Sequence, residues 1–145
     1  MKSNMTPKEM LPKWIEQAGE SKEAWVKWFK LRVASCLRRK NNSSTKEEWQ
    51  KAILTALKNC KGRGYYSNYP LSLRHYRKWQ DPMWPSVDHV EGPAKSRVVI
   101  ETRLVNDMKT ILDEKEFDMV IRHLNTVDKK QPLILEDDWR PRRSY

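Results

Sequence analysis

Apolar residues in the first 60 positions recur at helical spacing in three runs. Met10, Leu11, Trp14, Ile15 and Ala18 form the first, opened by Thr6-Pro7-Lys8-Glu9, a capping box with proline at the first helical position, and closed by Gly19. Trp25, Trp28, Phe29, Val33, Cys36 and Leu37 form the second, with Ser21 as cap. Trp49, Ala52, Ile53, Ala56, Leu57 and Cys60 form the third, capped by Ser44 or Thr45 with Glu47 or Glu48. This pattern predicts a helical bundle over residues 1–60.

The period changes at Lys61. Lys61-Gly62-Arg63-Gly64 is a turn signal, and Tyr65 to Leu73 carries no helical repeat. Asp81-Pro82-Met83-Trp84-Pro85 reads as rigid extended chain. Ser86 to Val90 and Arg97 to Glu101 are the best strand candidates, joined through Gly92-Pro93. Helical spacing returns with Leu104, Val105, Met108, Ile111 and Leu112. It continues with Phe117, Val120, Ile121 and Leu124 behind an Asp113 cap. The last 20 residues mix prolines with charges and read as a surface arm over 126–145. The expected class is α+β, with a bundle over 1–60 and a strand–strand–helix region over 61–125.

Charge sharpens this picture. The chain has 145 residues with 29 Lys/Arg, 19 Asp/Glu and a net charge of +10. Residues 1–60 hold 13 basic against 6 acidic residues, and residues 61–80 hold 5 basic and no acidic ones. Residues 81–145 hold 11 basic against 13 acidic. A basic surface of this kind predicts a polyanionic partner, foremost nucleic acid. The expected phosphate contacts are Arg38 and Arg39 at the end of the second helix, and Arg63, Arg74, Arg77 and Lys78 beyond the third. His75 in that stretch reads as a further phosphate contact or a solvated residue, and His123 as structural. No apolar run approaches the roughly 20 residues of a membrane span. The start carries no secretory pattern and two cysteines make no disulfide scaffold, so a cytoplasmic, reducing setting is expected. Cys36 and Cys60 fall on apolar stripes, which predicts buried thiols and no structural zinc.

The candidate chemistry lies in the second half. Asp88-His89 ends the first predicted strand, and Asn106 stands near the start of the following helix. A hard divalent cation, magnesium or manganese, is suited by one carboxylate and one amide oxygen, with water and phosphate completing its shell. An imidazole titrating near neutrality is suited to take a proton from water. Adjacent strand residues point to opposite faces, so Asp88 and His89 are expected to share a site through a bend or bulge. Lys109, on the face of Asn106, is read either as a contact to the cleaved phosphate or as a solvated lysine. Glu101 and Asp107 are alternative ligands.

The stretches Gly64-Tyr65-Tyr66-Ser67, Tyr69-Pro70-Leu71, Pro85-Ser86-Val87-Asp88-His89-Val90 and Val105-Asn106-Asp107-Met108-Lys109 with Glu116-Phe117 occur in that order. Residues from about 61 to 124 thereby resemble the HNH, or His-Me finger, endonucleases of the Asp-His-Asn type. The resemblance implies a ββα-metal motif, metal ligation by Asp88 and Asn106, and activation of water by His89. The chain departs from the pattern in three ways. No asparagine lies between the strands to orient the imidazole, which leaves that task to a backbone carbonyl or Ser96. The helix lacks a second histidine, and there are no paired zinc-binding cysteines. The expected function is a metal-dependent DNA endonuclease or nickase. The competing expectations are an inactive nucleic-acid-binding module and a protein-interaction or inhibitor protein.

Overall fold

Side-chain caps fix where most of the helices begin. The computed structural model describes residues 5–74, 81–89 and 97–126. Thr6 and Glu9 form a reciprocal capping box at helix α1 (Pro7–Met10). The first predicted helix is nevertheless broken. Leu11 is extended (φ −65°, ψ 145°), and a second short helix, α2, runs Trp14–Gln17. Pro12 is the cause: it has no N–H to donate, and its ring pushes the preceding residue out of the helical region. Ser21 caps α3 (Lys22–Leu37). Thr45 and Glu48 box α4 (Lys46–Cys60), which ends on Lys61 in the left-handed region at φ 52°.

Strands β1 (Pro85–His89) and β2 (Val98–Thr102) pair antiparallel in an unbroken register from Pro85↔Thr102 to His89↔Val98. Helix α5 (Arg103–Ile111) follows β2 directly, capped by Thr102. Helix α6 (Glu114–Leu124) starts at the predicted Asp113–Glu116 box. The protein is thus α+β, and among the described residues its sheet has two strands.

The period-2 alternation of the pair sorts its side chains. Val87, His89, Val98 and Ile100 share one face, and Ser86, Asp88, Val99 and Glu101 the other. Val87, Val98 and Ile100 join Trp25, Trp28, Phe29, Trp49, Ile53 and Leu57 in one core, so bundle and hairpin are packed as a unit. Trp25 and Trp49 are fully buried. Each such indole removes roughly 200 Å² from water, about 5 kcal/mol. Buried indoles also need an acceptor. Trp28 Nε1 donates to the Pro85 carbonyl at 2.9 Å, and Trp14 Nε1 to the Leu57 carbonyl at 2.7 Å, each bond spanning distant parts of the chain. Cys36 is buried and Cys60 half-buried, both thiols are free, and burial pushes both up. Among the described residues no helix is long and apolar enough to cross a membrane.

Candidate functional site

The polar face of the hairpin is covered by α5 and by the irregular chain at 64–69. Asn106 and Lys109, three residues apart on α5, both reach β1. Asn106 Nδ2 donates to Ser86 Oγ at 3.3 Å, and Lys109 Nζ donates to Asp88 Oδ2 at 2.7 Å. Tyr66 completes a triangle: its hydroxyl donates to Asp88 Oδ2 at 3.1 Å and accepts from Lys109 Nζ at 3.1 Å. Asp88 is buried. Burial alone would lower the Lys109 pKa, but hydrogen bonds to Asp88 and Tyr66 outweigh it and hold the ammonium above the ordinary lysine range. Burial is also the main reason that the Tyr66 hydroxyl is pushed up, against the pull of Lys109.

His89 lies on the opposite face. The register continues regularly through Asp88 and His89, so the expected bulge does not occur and alternation carries the imidazole away from the carboxylate. Its ring packs edge-on against Trp49 of α4, centroids 5.4 Å apart. Both ring nitrogens are buried and have no hydrogen-bond partner among the described residues. Burial, followed by the positive charge of Arg39, lowers its pKa from 6.5 to about 4. The imidazole is therefore neutral throughout the physiological range, where the sequence suggested titration near neutrality.

Glu101 is no alternative ligand. Its carboxylate is fully buried and accepts from Tyr66 N (2.7 Å), Ser67 N (2.9 Å), Ser67 Oγ (2.9 Å) and Thr102 N (2.6 Å). These bonds fasten the 64–67 loop to β2 and place Tyr66 beside Asp88. A Cβ on Gly64 would collide with the same carboxylate, which is why that position takes glycine. Asp107 is exposed and pairs with Arg103 at 3.6 Å.

The predicted phosphate contacts separate. Arg39 points into a cleft beside β1, whereas Arg38 caps α3 and is exposed. Arg63 donates to the Asn68 carbonyl at 3.1 Å, and Arg74 reaches Glu20 at 3.9 Å and the Gly19 carbonyl at 3.4 Å. Arg77, Lys78, His75 and Ser96 lie outside the described residues, as does the arm from 127 onward. His123 is exposed on α6, not structural. Tyr66 was not singled out from the sequence: it lies 22 residues before Asp88, and no spacing rule connects the two.

The polar face carries the Asp88 carboxylate and the Ser86 hydroxyl, and Asn106 of α5 reaches it through Ser86, with no contact to Asp88 among those described. These oxygen donors are hard, with one negative charge, and suit a magnesium-type ion that keeps much of its shell as water and phosphate. Among the described residues no group of three or more His, Cys, Asp or Glu side chains gathers. Lys109 already supplies one positive charge to Asp88. Comparison of the chain with protein-family models, with curated proteins and with solved structures finds no match to any of them.

Proposed function

We propose that the chain is a metal-dependent endonuclease or nickase that hydrolyses DNA phosphodiester bonds, with His89 as the proton acceptor and Asp88 and Asn106 as the protein ligands of the ion. One observation carries this reading. At the end of β1 an imidazole is held neutral with both nitrogens buried and neither hydrogen-bonded among the described residues, and the preceding carboxylate, on the other face of the hairpin, is held by an ammonium of α5. A buried histidine that serves packing alone normally satisfies at least one nitrogen. One left unsatisfied is accounted for by a group that it meets only in a complex. With its pKa at about 4 the ring is unprotonated from pH 5 upward, and burial makes it a weaker base than an ordinary imidazole. A bound magnesium or manganese ion supplies charge stabilisation at the phosphate. Lys109, tied to Asp88 and Tyr66, adds a fixed positive charge on the same face.

The test is nicking of supercoiled plasmid with magnesium or manganese, and its arrest by chelator. His89→Ala is expected to lower the nicking rate by about 10²–10⁴ while DNA binding stays intact. Equal nicking by the variant sinks the assignment of His89. A second reading, an inactive nucleic-acid-binding module, is favoured by the Trp49 indole packed against the imidazole. It predicts DNA binding with no metal-dependent nicking.

A further inference from the structure

Helix α3 meets the start of β1 through the bond from Trp28 to the Pro85 carbonyl. Between α3, β1 and α5 lies a cleft of about 220 Å³. Arg32, Ser35 and Arg39 line it from α3, Ser86 from β1, and Arg103 and Asn106 from α5. Arg32, Ser35 and Arg39 stand at i, i+3 and i+7, on one face of the helix. Among the described residues no acidic side chain lines the cleft. Arg32, which also lines a neighbouring cavity with Trp28 and Trp84, has its Nε buried without a hydrogen-bond partner among the described residues. An arginine keeps its charge when buried, so a cationic N–H is left dry and unpaired, a costly state that an anion in the cleft would relieve.

We propose that this cleft binds a phosphodiester of a polynucleotide, adjacent to the phosphate that meets Asp88. The source of the phosphate rests on the nucleic-acid reading above; the anion site itself does not. Guanidinium groups engage phosphate oxygens through paired N–H bonds, and the Ser35 hydroxyl and the second N–H of the Asn106 amide add neutral donors. Ser86 in the cleft and Asp88 beyond it lie two residues apart on one strand face, roughly 7 Å. A strand of nucleic acid held in the cleft therefore lies about two residues' length from the Asp88–Lys109 pair.

Binding of a short labelled DNA duplex in chelator, where nothing is cut, tests this across a range of salt. Arg39→Gln is expected to weaken binding roughly tenfold, one charge-assisted contact, and to lower the salt slope by about 1. Arg39 is exposed, so this change does not threaten the fold. Arg32→Lys keeps the charge but loses the planar fork, and is expected to weaken binding with the slope retained. Lys27→Gln with Lys30→Gln removes two exposed charges of the same helix that do not line the cleft and is expected to change affinity less than twofold. If that pair weakens binding as much as the arginine variants, the attraction is diffuse and the cleft is no site. The Arg32 Nε–H resonance gives a direct readout: the duplex is expected to shift it, and no shift overturns the proposal. Inorganic phosphate is expected to shift it only at millimolar concentration. Phosphate binding as tightly as the duplex overturns the polynucleotide assignment. Binding through Arg32 and Arg39 without any metal-dependent nicking upholds the cleft and defeats the nuclease reading.

Discussion

Two buried acidic positions in this protein are treated in opposite ways. Glu101, on β2, is surrounded by four hydrogen-bond donors, three of them backbone N–H groups. Asp88, across the sheet on β1, is met among the described residues only by two side-chain groups, a tyrosine hydroxyl and a lysine ammonium. Its neighbour His89 has no partner at all among the described residues. A carboxylate satisfied by backbone is a fastening: it cannot be released without freeing several buried donors. A carboxylate held by a flexible ammonium can change partners. The comparison teaches that burial alone does not separate structural from functional acids, whereas the kind of partner does.

The largest effect is expected at the fastening. Glu101→Ala leaves the Tyr66, Ser67 and Thr102 N–H groups without their acceptor. Each unsatisfied buried donor costs about 1–3 kcal/mol, so a loss of roughly 3 kcal/mol or more is expected. Urea unfolding of variant and parent measures it. A change below about 1 kcal/mol would erase the distinction between the two sites.

The next effect is a pH dependence at His89. Its pKa is about 4 folded and near 6.5 unfolded, so the unfolded chain binds the extra proton between these values. This contribution to stability is complete above pH 6.5 and is lost as the pH falls toward 4. His89→Phe, which keeps an aromatic ring against Trp49, is expected to flatten this acid limb in thermal melts between pH 4 and 7. If both proteins show the same limb, His89 is not the dry imidazole described.

The smallest effect concerns the exchangeable partner. Asp88 and Lys109 form a partly exposed pair, so a double-mutant cycle with Asp88→Asn and Lys109→Met is expected to give a coupling of roughly 1 kcal/mol. A coupling as large as the Glu101 effect would make the pair a fastening too and remove the basis for a replaceable partner.

Local signals determined much of this protein from its sequence. The Thr6, Ser21 and Asp113 caps and the apolar stripes with Trp25, Trp28 and Trp49 are present as read, Thr45 is the cap of the two offered for α4, and the strand pair followed by a helix is present with each strand shifted by one residue. Each depends on residues within a few positions of one another, where hydrogen-bond reach and the 3.6- and 2-residue periods apply. The break at Pro12 was equally local and was missed because the apolar spacing continues across it.

Which side chains meet was decided by the tertiary structure. Alternation on β1 follows from the sequence, yet that His89 turns toward Trp49, and Asp88 toward Tyr66 and Lys109, depends on which face each helix covers. The absorption of Glu101 by the 64–67 loop, and the convergence of Arg32 with Arg103, join positions 34 and 71 residues apart. Charge and polarity are written in the chain, but partners of that kind are chosen only when the sheet packs between α4 and α5, because no local period relates them.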